Sequence, residues 1–363
     1  FGIALLLFTF FVWEQRKLGE ISNIIAGGDK NINKIKKYGK YPVIANSINK
    51  NGIVGYYDNE YRVKAPAVTV TGRGEIGHAV ARFQNFTPIV RLLALSSKLD
   101  PIFLANSINK IRFFNESTGV PQLTKPQLST YSIIIPSVEE QNNIGKLILL
   151  IEKYIHLQQR KLKLLKVMKK ALSQYMFCQE IEFVPILRFN SFSDKWKYER
   201  LKNLIVKEIK GKAKADMKGT KSTYIDTALL NGGSITKVDS PTDTFHNDII
   251  ILWDGSQAGK IYHGFTGALG STLKSYKPKY SGGFLYQYLK SKEPIIFLRY
   301  RTPNIPHVVK DFTEIFKINI PSVKEQEKIS KTLNYLDQSI LVETKKIGSI
   351  KKIKKFLLQN MFI

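Results

Sequence analysis

Gly72, Gly74 and Gly77 in the stretch VTVTGRGEIGHAV, residues 68–80, stand in the G-x-G-x-x-G spacing that can cradle a pyrophosphate. That chemistry needs a helix directly behind the glycines, because the pyrophosphate sits on its N-terminus. Here the glycines lead into HAVARFQNFTPIV, which is β-like and soon reaches Phe86-Thr87-Pro88. A second stretch, IIILWDGSQAGKIYHGFT at 249–266, gives an independent reading, its FT at 265–266 repeating the FT at 86–87. It keeps Gly255 and Gly259 but not the fingerprint. It also misses a Walker loop, since three residues separate Gly255 from Gly259-Lys260 and Ile261 stands where a hydroxyl is needed. Both stretches predict strand, polar Gly-rich turn, strand. The glycines are there for positive φ and close backbone approach.

The turns carry residue types that bond to base edges and phosphates: Arg73 and His78 in the first, Asp254, Ser256, Gln257 and Lys260 in the second. Arg82, Arg91 and Lys274 lie on flanking strands, and Tyr262 reads either as a base contact or as core. Bond-making chemistry finds no support. The histidines at 78, 156, 246, 263 and 307 show no H-E-x-x-H or paired metal-ligand spacing. There is no G-x-S-x-G elbow, no Asn/Asp-Pro-Pro-Tyr/Phe motif for adenine methyl transfer, and no convincing carboxylate pair for a two-metal nuclease. Cys178, the sole cysteine, forms no intramolecular disulfide and no Cys-based zinc site, which fits a reducing, cytoplasmic compartment. Catalytic and metal-ligating residues are therefore expected to be none, and the pattern is that of a binding protein.

Composition agrees. The 363 residues carry 56 Lys+Arg against 29 Asp+Glu, a net charge of +27. The excess is spread along the chain, with net +9 in 14–137, +5 in 138–177, +8 in 178–322 and +5 in 323–363. No single basic tail accounts for it, so the natural partner is a polyanion, most commonly nucleic acid.

The elements that position these turns come in duplicate. Residues 133–177 and 318–362 align without a gap at an offset of 185, with 18 of 45 positions identical. PQL at 121–123 falls on PHV at 306–308, and WEQRKLGEI at 13–21 matches WKYERLKNL at 196–204. Each unit is a mixed β-rich segment followed by a long helix opening with Pro-Ser-Val-x-Glu-Gln. Ser137 with Glu140, and Ser322 with Glu325, have the spacing of a capping box. Apolar residues then follow a heptad seam: Ile144, Ile148, Ile151, Ile155, Leu162, Leu165, Leu172 and Met176 in one helix, Ile329, Leu333, Leu336, Ile340, Ile347, Ile350, Leu357 and Met361 in the other. It is interrupted at matching levels by Gln158 and Glu343, and by Lys169 and Lys354. Such a seam predicts a coiled coil, and we expect an antiparallel pair.

Residues 1–12 are apolar, too short to span a bilayer and without a basic n-region, so they read as an aberrant or truncated start and not as an anchor. The expected organisation runs 13–137 first mixed domain, 138–180 central spacer helix, 181–322 second mixed domain, 323–363 C-terminal spacer helix. The predicted class is α+β, with two tandem domains joined by the helices and related by a pseudo-twofold.

The P-S-V-x-E-Q helix starts, the W-x-x-x-x-L entries at Trp13 and Trp196, the lead-in VPILRFNSFSDKWKYERL at 184–201 and the two core stretches resemble the specificity subunit of type I restriction–modification enzymes. The resemblance runs from Trp13 to Phe362. It departs at residues 1–12, which lack the Arg and the charge of the second lead-in and so put the seating of the first domain's N-terminal strand in doubt.

The resemblance implies that each mixed segment is a target recognition domain reading one half of a split duplex DNA site. The helices would set the spacing, and roughly 48 Å of seam corresponds to about 14 base pairs. They would also dock methyltransferase subunits, two of them, alongside restriction/motor subunits. No cofactor is expected on this chain; S-adenosylmethionine, ATP and Mg belong to the partners. The basic stripes Lys163, Lys166, Lys170 and Lys351, Lys352, Lys355 would line DNA, meet partners or serve solubility. The alternatives are a non-specific two-domain nucleic-acid-binding protein and an inactive truncated specificity subunit.

Overall fold

The computed structural model describes residues 13–114, 119–179, 182–304 and 306–362; the reading of residues 1–12 falls outside them. The chain divides into two units, residues 1–159 with 346–363, and residues 160–345. Each takes in part of both long helices, Val138–Tyr175 and Val323–Asn360.

The units repeat one set of strand pairings. Glu14–Lys17 runs antiparallel to Ser132–Ile135, and Lys197–Arg200 antiparallel to Lys317–Ile320. Leu18 and Leu201 follow the first strand of each pair, fully buried, their amides donating to the carbonyls of Tyr131 and Phe316 at 2.8 Å. The strand after Trp13 is therefore seated like its counterpart. Each unit then holds a four-stranded antiparallel sheet. In the first the order is Ser22–Ala26, Leu92–Ser97, Ala67–Thr71, Ala79–Arg82. In the second it is Ile205–Lys210, Leu273–Pro278, Ile249–Leu252, Ile261–His263. A small mixed sheet accompanies each: Ile53–Tyr57, Tyr41–Ile44, Thr87–Pro88, and Lys237–Val238, Lys218–Ile225, Ala268–Leu269. The α+β reading with small mixed sheets holds.

The inner strands AVTVT and IIIL are buried at every position, as continuous apolar and β-branched runs predict. A helix covers each sheet, Pro101–Ile108 or Gly282–Ser291. Its N-terminus is capped by Asp100 Oδ1, which accepts the Ile102 and Phe103 amides, or by Ser281 Oγ, which accepts that of Phe284. Phe103 meets Trp13 and Phe362; Phe284 meets Trp196 and Phe177. Each unit thus closes on the far end of a long helix.

The FT repeat does not mark equivalent positions. Phe86 bridges Val63 where Gly267 bridges Thr244, and Thr87 pairs with Val43 where Ala268 pairs with Tyr224. The second copy is displaced by two residues, so Phe265 is a half-buried residue of a satellite core and Phe86 is fully buried.

All sixteen seam positions are buried or half-buried. In the first unit, Ile144 and Ile148 share a cluster with Phe362, Leu358 and Met361. In the second, Leu172, Met176 and Phe177 share one with Ile329 and Leu333. End packs against beginning, which is antiparallel packing within each unit. The interrupting charges are paired. Lys169 bonds Asp337, and at the duplicated positions Lys354 bonds Glu152; Lys161 bonds Glu343.

The helix starts differ from the capping-box expectation. Glu140 N donates to Ser137 Oγ at 3.3 Å as predicted. The side chain that reaches back is the next one, Gln141 Nε2 to Pro136 O and Gln326 Nε2 to Pro321 O, both 2.9 Å and buried. The Glu325 carboxylate, 1% exposed, is instead gripped by Arg188 through Nε and Nη2 at 2.8 Å each. A buried carboxylate needs a full countercharge, which a backbone amide does not supply.

Candidate nucleic-acid interface

The glycine stretches are strand–turn–strand connections built alike in both units. Gly72 N donates to Arg91 O and Trp253 N to Thr272 O, at 2.9 Å each. Gly74 N donates to Pro121 O and Gly255 N to Pro306 O, again at 2.9 Å. Gly77 N reaches Thr71 O at 2.8 Å, and Gly259 N reaches Leu252 O at 2.7 Å. Gly74, Gly77, Gly255 and Gly259 all have positive φ, between 73° and 104°. Gly72 is required by contact, since a Cβ there would lie 2.5 Å from Arg91 O. No helix follows either turn, so a pyrophosphate has no helical N-terminus to sit on.

On this shared frame the tips differ: Arg73-Gly74-Glu75 in one unit, Asp254-Gly255-Ser256-Gln257 in the other. Arg73 and His78 are exposed. Arg91 is exposed with φ 73° and lies beside Gly72. Ser256 and Gln257 are exposed, Lys260 donates to Gln257 Oε1 at 2.6 Å, and Asp254 is half-buried, bridged through its backbone to His307.

The flanking residues are less free. Arg82, at the other end of its strand, donates Nε to Thr69 Oγ1 at 2.9 Å, and burial lowers its guanidinium to about 10, still protonated at neutral pH. Lys274 lies 3.4 Å over the Trp253 ring and bonds Glu208 at 2.5 Å. Tyr262 packs on a satellite core with its hydroxyl 3.4 Å from Asn231 Oδ1. The structure thus gathers Arg73, His78 and Arg91 around the turn of the first unit, and Asp254, Ser256, Gln257 and Lys260 around that of the second. Arg82 and Lys274 belong to the packing behind.

The loop facing the first turn was missed. Asn46 Oδ1 accepts the amides of Gly72 at 2.6 Å and Arg73 at 3.3 Å, and its Nδ2 donates to Arg73 O at 2.8 Å. Asn46, Ser47, Ile48 and Asn49 line one cleft with Thr71, Arg73 and Glu75. Lys50 and Asn51 follow in left-handed conformation, φ 50° and 54°. The signal for such a loop is the polar run ANSINKNG, residues 45–52, closing a short strand.

In the second unit His263 stacks on Tyr286, ring centroids 5.2 Å apart, with His246 at 5.8 Å. Burial, and then the nearby His246, lower its imidazole to about 4. Among the described residues no group of three His, Cys, Asp or Glu could hold a metal ion, and no helix is long and apolar enough to cross a membrane.

Fold and turns together define a duplicated α+β protein that presents the same turn twice with different side chains. The family model of the type I restriction modification DNA specificity domain matches residues 12–167 and 193–352, and the chain belongs to that family. It is 34% identical over 178 residues to the type I restriction enzyme MjaVIII specificity subunit of Methanocaldococcus jannaschii, covering 46% of this chain and 42% of that protein. The chain thus spans less than half the length of the first curated relatives it matches. The crystal structure of the type I restriction–modification system S subunit from M. genitalium matches with a TM-score of 0.73 at 17% identity, covering 99% of this chain and 98% of that one. A chain from a study of complex assembly and conformational transition of the type I R-M system matches at 0.54 and 13% identity, over 96% of each. At these identities the likeness is one of fold.

Proposed function

We propose that the chain is the sequence-reading subunit of a type I restriction–modification complex, each unit reading one half of a bipartite duplex DNA site. One observation carries this reading. Equivalent turns, held by equivalent backbone bonds and equivalent positive-φ glycines, bear different polar tips. A constant frame with varied donors and acceptors is what two unlike half-sites demand, because base edges are told apart by their donor and acceptor patterns. The net charge of +27 supports a polyanion partner through phosphate contacts.

In this reading the chain does no bond chemistry itself. Methyltransferase subunits, two of them, dock on the long helices and carry S-adenosylmethionine. Restriction/motor subunits carry ATP and Mg, and the complex works in the cytoplasm. The test is methylation mapping by long-read sequencing in a host carrying this chain with its candidate methyltransferase, against a host lacking the chain. The expected result is a bipartite N6-methyladenine motif that vanishes in the control. A folded chain that binds duplexes of every sequence alike and yields no motif would overturn the reading in favour of non-specific nucleic-acid binding.

A further inference from the structure

Both turns are flanked by an exposed aromatic ring that the turn residues themselves do not account for. A Cβ added to Gly77 would lie 2.1 Å from the Phe113 ring, and one added to Gly259 would lie 3.0 Å from Ile296 Cγ2. Each turn is therefore pressed against an apolar residue of a segment coming from behind the sheet. The next residue is a phenylalanine in both units, Phe114 at 78% exposure and Phe297 at 50%. The local sequences differ, KIRFF at 110–114 against EPIIFLR at 293–299, and so does the structure, the second being helical and the first not.

Anchoring fixes the backbone at Phe114 and the ring of Phe297. Phe113 packs on Tyr131 at 4.8 Å, whose hydroxyl accepts the Phe114 amide at 3.3 Å. Arg301 lies 3.8 Å over Phe297 and donates to Ser256 O at 3.2 Å, tying that ring to the tip of its turn. Single exposed apolar residues are ordinary on a protein surface. An exposed ring at the same station of two diverged copies, set among cations, is not.

We propose that Phe114 and Phe297 are specificity-determining residues that contact the bases of the half-site read by their own unit. The proposal rests on the function above. The occupant is duplex DNA. Exposed Arg112, two residues before Phe114, and Arg301 over Phe297 supply charge for phosphates, while the rings, which phosphates do not attract, meet base steps or thymine methyls.

The test maps methylation for the full chain with its methyltransferase partner, comparing wild type with Phe114→Ala and Phe297→Ala. It then measures affinity for a duplex bearing the wild-type motif. Each alanine variant should relax one half of the motif, a different half for each. Cognate affinity should fall about tenfold, the scale of one lost base contact. The salt dependence should be unchanged, since no phosphate contact is lost. The thermal midpoint should match wild type for Phe114→Ala and fall only slightly for Phe297→Ala, which loses the Arg301 contact, and Phe→Leu variants should fall between in motif and affinity. An unchanged motif and affinity in both variants would overturn this proposal and leave the function standing. So would loss of methyltransferase binding with DNA preference intact, which would make the rings a protein-docking surface. Absence of any motif in wild type would overturn the function and this proposal together.

Discussion

Asn46 does for the first turn what no residue of the turn can do for itself: one amide group fixes both sides of Arg73 by accepting two backbone N–H groups and donating to a carbonyl. Asn46→Ala should leave the Gly72 amide with Arg91 O alone and strip both side-chain bonds from the Arg73 backbone, cost about 1 kcal/mol in urea unfolding, and blur the half of the motif proposed for the first unit. Arg73→Ala should blur the same half with no stability loss, because its side chain is exposed. Equal stability of the two variants would remove the clamp role. His263 makes a different prediction. Its imidazole titrates near 4 when folded, against 6.5 in an open chain. Between those values the unfolded chain takes up a proton that the folded unit refuses, so stability is full above about 6.5 and drains away as pH falls toward 4. Thermal midpoints at pH 7 and pH 5 should therefore drop further for wild type than for His263→Phe, which cannot titrate. Parallel drops would show that the ring is not the source.

At the scale of elements, the charges in the helix seam are placed twice over by the duplication, as Lys169 with Asp337 and Lys354 with Glu152. Glu343 is a harder case: its side chain is 7% exposed while its partner Lys161 is 58% exposed. Removing a buried carboxylate relieves its desolvation cost, and here the lysine left behind is exposed enough to stay hydrated. Glu343→Leu should raise unfolding stability by about 1 kcal/mol, and Lys161→Met alone should lower it by about as much. A destabilised Glu343→Leu would show that the charge is needed where it stands. The seam was readable from sequence because the helical period runs for many turns in both copies and is interrupted at the same two levels in each, so each residue of one checks its counterpart in the other. The sheets were readable only as short strands. Their order depends on pairings between Val68 and Leu95, or Val43 and Thr87, that no local pattern encodes. The FT repeat misled for that reason, since a two-residue slip keeps the letters and changes their partners. Asn46 lies 26 residues from Gly72, and Phe113 and Ile296, which carry Phe114 and Phe297 behind them in the chain, meet the turns only through folding, so neither could be placed by spacing.

For the whole molecule, the repeat makes a claim about modularity. The bonds that hold each tip run from the amide of a glycine that both tips carry, Gly74 or Gly255, to a carbonyl outside the tip, that of Pro121 or Pro306, and use none of the side chains that differ. The positive-φ glycines that bound each tip are present in both copies. A tip should therefore fold on either frame. Replacing residues 73–76, RGEI, by DGSQA from residues 254–258 keeps a glycine at the second position and inserts the one extra residue that separates Gly255 from Gly259. The graft removes the cation Arg73 and the anion Glu75 and brings an anion, a hydroxyl and an amide, so the donor and acceptor pattern of the first tip is replaced. Methylation mapping of the graft should return a motif altered in one half and identical to wild type in the other, with a thermal midpoint close to wild type. Changes in both halves would mean that the two units do not read independently. An unchanged motif in a folded graft would mean that the bases are read elsewhere than at the tips.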